Sequence, residues 1–133
     1  IGGGTGMALW PASCVLAEWL LTPPGSGLVG GRLVLELGCG ATALPSVAAS
    51  AAGAAKVVAS DGVSAVLARL QRNLQLSGLL GRVAARRLEW PKVPSQMRPR
   101  RFDVVLFADA VYTPRGAYLL ADMCLRCVKP GGV

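Results

Sequence analysis

The chain has 133 residues, 53% of them hydrophobic and only 5% aromatic, enough for one small domain whose core is mostly Ala, Val and Leu. Fourteen Lys and Arg against seven acids give a formal charge of +7, which suits an acidic partner such as RNA or a phosphorylated surface, although a solvated basic face is the simpler reading. Of the four cysteines only Cys124 and Cys127 have zinc-like spacing, with no second Cys pair and no histidine to complete four ligands, and the Ala-rich run 43–55 is too short to span a bilayer, so neither a metal nor a membrane is expected.

Residues 1–11 are Gly-rich and end in Leu9-Trp10-Pro11. They lack the basic region of a signal peptide. Pro11 and Ser13 open a helix with Val15, Leu16, Trp19 and Leu20 on its apolar side. Trp10 sits ahead of it in a loop, as a lid on the core or as a ligand contact. Residues 22–31 hold prolines and glycines and read as a loop. A first strand covers Arg32 to Leu37. Gly38-Cys39-Gly40 makes a tight turn, and Ala43 to Ala52 forms the next helix, with Pro45 in its first turn and Gly53 ending it.

A second strand, Lys56 to Ser60, ends at Asp61-Gly62. A helix from Ser64 to Leu76 carries Val66, Leu67, Leu70 and Leu74 at helical spacing and stops at Gly78. A third strand, Arg82 to Leu88, leads to Glu89-Trp90-Pro91. A polar, Pro-rich surface loop with a basic cluster at Arg98, Arg100 and Arg101 follows. A fourth strand, Phe102 to Ala108, is apolar almost throughout, as a strand buried on both faces is. Pro114 opens the last helix, which includes Cys124-Leu-Arg-Cys127; that pair has zinc-like spacing inside a helical pattern, and buried reduced thiols are the better expectation. Reduced thiols point to the cytoplasm, with the nucleus open. The chain starts without Met and stops at Lys129-Pro-Gly-Gly-Val133, a turn into a fifth strand, so it reads as a fragment.

Strands alternating with helices predict a Rossmann-like, doubly wound parallel α/β sheet in one partial domain over 1–133. Glu36, Asp61, Glu89 and Asp109 fall at or near strand ends, which lie on one edge of such a sheet, where ligands bind. Gly-x-Gly between strand and helix lets a ligand approach the main chain without meeting a Cβ. An acid about 20 residues on, Asp61, is placed to take a pair of ribose hydroxyls.

These residues resemble the class I S-adenosylmethionine-dependent methyltransferases, and more narrowly the seven-strand protein methyltransferases that mostly modify lysine. The resemblance rests on Leu9-Trp10-Pro11, Val34-Leu-Glu-Leu-Gly-Cys-Gly40, Val58-Ala-Ser-Asp61, Asn73, Leu88-Glu-Trp90 and Phe102-Asp-Val-Val-Leu-Phe-Ala-Asp-Ala-Val-Tyr112. It implies S-adenosyl-L-methionine as cofactor and a protein lysine as substrate. It places Gly38, Cys39 and Gly40 against the methionine part and Asp61 on the ribose. Glu89 and Trp90 border the adenine, Trp10 and Ala108 line the pocket, and Asp109 and Tyr112 stand where the target side chain enters. Glu36, the acid that closes the first strand, joins the cofactor-binding set. The glycine loop departs from the family's Thr-Gly, reading Ala41-Thr42.

The expected reaction is methyl transfer from a sulfonium to an amine, with no general base evident in the sequence. Three other readings stand beside it. A nucleic-acid methyltransferase fits the charge, but Asp109-Ala-Val-Tyr112 lacks the prolines of that motif. A non-catalytic binding module fits the altered glycine loop. A nucleotide-dependent dehydrogenase lacks its third glycine. For Asp109 the alternative is a helix cap ahead of Pro114.

Overall fold

The structure, a computed structural model, describes residues 5–92 and 99–133. Part of the expected Pro-rich loop, with Arg98, lies outside the described residues. Strands β1 (Leu33–Leu37), β2 (Lys56–Asp61), β3 (Val83–Arg87) and β4 (Val104–Leu106) form one parallel sheet in the order β3-β2-β1-β4. Helices α1 (Pro11–Leu21), α2 (Gly25–Val29), α3 (Leu44–Ala51), α4 (Ser64–Leu76) and α5 (Pro114–Cys127) accompany it, after a 3₁₀ turn at Thr5–Met7. The chain moves outward from β1 to β2 and β3, then crosses back to place β4 on the other side of β1. The C-terminal end of β1 is therefore the point where strand order reverses, the usual crevice of such sheets.

The strand alternation decides which layer each side chain joins. Val34, Val57 and Ala59 pack with Leu20, Ala48, Ala49, Leu70 and Leu74 from α1, α3 and α4. Leu35, Leu37 and Val58 pack on the opposite face with Leu120, Met123 and Cys127 of α5. The result is three layers, with helices on both faces as the strand–helix alternation predicts.

Several boundaries differ from the sequence expectation. The loop at 22–31 contains the short α2. Gly25 starts it where a Cβ would fall 2.1 Å from the Trp19 carbonyl oxygen, and Val29 is buried. On α1 the buried residues are Ala17 and Leu20, with Leu16 partly buried against the core. Val15 and Trp19 are exposed, because the helix packs the face of Leu16, Ala17 and Leu20 into the core, against the Ala-rich α3. Strand β4 is only three residues long, not seven. Phe102 makes an isolated bridge to Val128, and Phe107 is 47% exposed beyond the last paired residue. Val133 donates to the Asp103 carbonyl at 2.9 Å and accepts from the Val105 N–H at 2.8 Å, the pattern of a parallel bridge to β4. Asp103 closes the base of the sheet. Its carboxylate accepts the Leu33 N–H at 2.8 Å and pairs with Lys129, and these contacts hold its pKa below the ordinary value.

Candidate functional site

The turn after β1 is built around two glycines. Gly38 (φ +69°) and Gly40 (φ +65°) occupy the left-handed region that other residues rarely adopt. A Cβ on Gly38 would sit 3.3 Å from the Ala110 methyl and 3.7 Å from the Trp90 ring, and one on Gly40 would sit 3.1 Å from the Gly6 carbonyl oxygen. The loop is held from three sides. Cys39 N–H donates to the Ser60 carbonyl at 2.9 Å and Ala41 N–H to the Gly6 carbonyl at 2.8 Å. Asn73 Nδ2, reaching up from α4, donates to the Ala41 carbonyl at 2.9 Å.

Asp61 fixes the loop from the end of β2. Its Oδ2 accepts the Gly40 N–H at 3.2 Å and its Oδ1 accepts the Val63 N–H at 3.0 Å, just ahead of α4. Both oxygens are thus oriented while the residue still lines the cleft. Leu88 N–H donates to the Asp61 carbonyl at 3.1 Å, which brings Glu89 and Trp90 alongside. Glu89 is ion-paired with Arg87, whose Nε donates to the Gly62 carbonyl at 3.3 Å.

The opposite wall comes from the end of β4. Asp109 is exposed and adopts φ +48°, a left-handed conformation carried here by a non-glycine residue. It does not cap α5. Thr113 does, its hydroxyl accepting the Gly116 N–H at 3.0 Å. Asp109 is therefore left pointing its polarity at the cleft, with Tyr112 62% exposed beside it. The 3₁₀ turn closes a fourth side. The Trp10 indole N–H donates to the Thr5 carbonyl at 3.0 Å, which ties the tryptophan to that turn.

These walls enclose an open cleft of about 750 Å³, within the range that holds a cofactor-sized ligand. Trp10, Gly38, Cys39, Gly40, Asp61, Glu89, Trp90, Ala108, Asp109 and Tyr112 all line it. Gly6, Ser13, Thr42, Val63, Val66, Ala110 and Leu119 line it as well. Val63 lies two residues after Asp61 and was within reach of sequence reasoning. Gly6 carried no signal, since only the fold brings it to the loop. The charged residues among the described lining are all acids: Asp61, Glu89 and Asp109. That suits a cationic ligand. The Cys39 thiol is buried, and burial first, then the Glu36 and Asp61 carboxylates, raise its pKa far above the usual thiol range. It is a packing residue with no thiolate chemistry at neutral pH.

Glu36 is the site residue that the structure does not bring to the cleft. It alternates with Leu35 and Leu37 and so faces the α3 layer, 2% exposed. Its Oε2 accepts the Ser46 N–H at 2.9 Å and the Ser46 hydroxyl at 2.5 Å. Helix α3 has Ala43 at its N-cap, with no side-chain oxygen to offer. The carboxylate of Glu36 takes over that task from the neighbouring strand, satisfying an N–H of the first turn. Burial raises the Glu36 pKa from 4.5 to about 7, partly offset by the Ser46 hydrogen bonds.

Comparison with known proteins agrees with this architecture. The profile of the lysine methyltransferase family matches residues 1–133. The chain is 36% identical over 118 residues to protein-lysine N-methyltransferase EFM3 of Chaetomium thermophilum, covering 83% of this chain and 34% of that protein. It is 31% identical over 136 residues to human protein-lysine N-methyltransferase EEF2KMT, covering 93% of this chain and 41% of that one. The chain thus spans less than half the length of these relatives. Among solved structures, geranyl diphosphate methyltransferase in complex with SAM superposes with a TM-score of 0.70 at 21% identity, over 90% of this chain and 46% of that one; this likeness bears on the fold. A Rossmann-like sheet, a glycine loop anchored by Asp61 and a family profile that runs the length of the chain lead to one conclusion: the chain belongs to the lysine methyltransferase family.

Proposed function

We propose that this chain forms the cofactor-binding part of an S-adenosylmethionine-dependent protein-lysine N-methyltransferase. The observation that carries the reading is the placement of Asp61 and the glycine loop across one cleft from Asp109 and Tyr112. The cradle fits the cofactor: Gly38 leaves open the space a Cβ would fill against Ala110 and Trp90, and the acidic lining suits a sulfonium cation. Asp61 takes the ribose hydroxyls while its N–H partners hold it in place. Trp90 and Glu89 border the base, and Trp10 and Ala108 complete the pocket.

When bound, S-adenosylmethionine supplies an activated methyl group, so the chain's own task is alignment. Asp109 attracts the target ammonium at the cleft mouth, and the Tyr112 ring offers a face to the cation. The amine reacts only when neutral. From a free-lysine pKa of about 10.4, deprotonation at pH 7 costs about 4.6 kcal/mol. Asp109 opposes that step, whereas desolvation and the positive charge of the donor favour it.

Titration of S-adenosylhomocysteine into the folded chain, monitored by calorimetry, tests the cofactor reading. Micromolar binding is expected, weakened at least about tenfold in Asp61→Ala, on the scale of one or more lost charged hydrogen bonds. A folded chain that binds nothing overturns it.

A further inference from the structure

Charge is segregated along the strand direction. The acids collect at the C-terminal ends of the strands, around the cleft. At the opposite end, Arg32 immediately precedes β1, Lys56 opens β2 and Arg82 immediately precedes β3. The pairing register sets Lys56 beside Leu33, and Val57 beside Val83, so the three bases stand side by side within one residue. Arg100 and Arg101 extend the row toward β4, with the Arg100 N–H bonded to the Arg126 carbonyl at 2.7 Å. At a strand spacing of about 4.8 Å, four strands make a row of about 15 Å. All five side chains are exposed, and none is in an ion pair among the described residues. The two acids nearby, Asp103 and Asp122, are already paired with Lys129 and Arg126.

Helix dipoles do not account for the row. The C-terminal ends of α3 and α4 lie at this edge, yet neither helix carries a base in its last turn. The bases lie instead on the segments that lead into the strands. Four of the five are arginines, whose planar guanidinium matches phosphate oxygens in a bidentate fork. An acidic protein surface would satisfy the charge, but a run of exposed bases with no unpaired acid between them among the described residues favours the uniform charge of a phosphate backbone.

We propose that this rim is a docking surface for the phosphate backbone of RNA, on the edge of the sheet away from the cleft. The RNA is then a docking partner and not the methyl acceptor, and the surface stands whether or not the cleft binds its proposed cofactor. Recognition is through the backbone and independent of base sequence.

The test is fluorescence anisotropy with a labelled 20-nucleotide poly-U RNA across a salt series, on the full chain. The triple variant Arg32→Gln, Lys56→Gln, Arg82→Gln is compared with Arg69→Gln, Arg72→Gln, Arg86→Gln, which removes the same charge elsewhere. The proposal expects the rim triple to lose at least about tenfold in affinity and about 2 in the slope of log K against log salt. The control triple is expected to stay within about twofold on that account. S-adenosylhomocysteine titration of each variant, alongside circular dichroism, separates a rim effect from loss of fold or cleft. Equal losses in both triples overturn the proposal, as does absence of RNA binding by the unaltered chain. Displacement of the RNA by poly-glutamate at equal charge concentration overturns it in favour of an acidic protein partner.

Discussion

Burial raises the Glu36 carboxyl from 4.5 to about 7, so the folded chain keeps a proton that the unfolded chain has released. Stability is then highest below about pH 4.5 on this group's account, falls as pH rises to about 7, and is level above it. The loss is on the order of 3 kcal/mol. Glu36→Gln, which keeps an acceptor for Ser46, is expected to remove that fall and to be the more stable form at pH 8, as urea titrations at pH 5 and pH 8 would show. Ala43, at φ +44° and fully buried, caps α3 in a conformation that β-branched residues resist. Ala43→Val combines that strain with overpacking and is expected to cost about 2 kcal/mol or more in the same unfolding assay. Asp109 carries a similar conformational cost at the cleft mouth.

Among the elements, α5 is the one whose start matters most to the site, because it begins where the Asp109–Tyr112 wall ends. Thr113 supplies its cap. Thr113→Ala is expected to cost about 1 kcal/mol of stability by thermal unfolding, with the cleft residues unchanged in identity. The apolar periodicity of α4 was legible from Val66, Leu67, Leu70 and Leu74, all buried as expected. The exposure of Val15 and Trp19 was not, since α1 is apolar on more than one side and the partner helix selects the face. Strand β4 reads as seven residues from hydropathy alone. Its paired length is three, because pairing depends on neighbours that hydropathy does not report.

For the molecule as a whole, β4 closes the order of the four described strands. β1 pairs with one side, and among the described residues only Val133 bonds to the other. Phe107 stands 47% exposed just past the paired segment. It lies outside the four-stranded ladder, so Phe107→Lys is expected to change stability by less than about 1 kcal/mol in thermal unfolding. No described helix is long and apolar enough to cross a membrane.

The order of strands and helices, the glycine turn and the acids at strand ends were determined by the sequence alone. These are local matters: periodicity, a turn that only glycine fits, and the spacing of Asp61 behind it. The family's motifs named most of the cleft residues for the same reason, since all of them but Trp10 lie at the end of a strand or on the segment that follows it. Tertiary structure decided what side-chain direction and packing decide. It turned Glu36 away from the cleft to complete α3, gave the α5 cap to Thr113 and left Asp109 free, brought Gly6 onto the glycine loop, and lined up bases from separate strands on one edge. None of these can be read from neighbours in sequence, because each depends on which face of a strand or helix meets a partner distant in the chain.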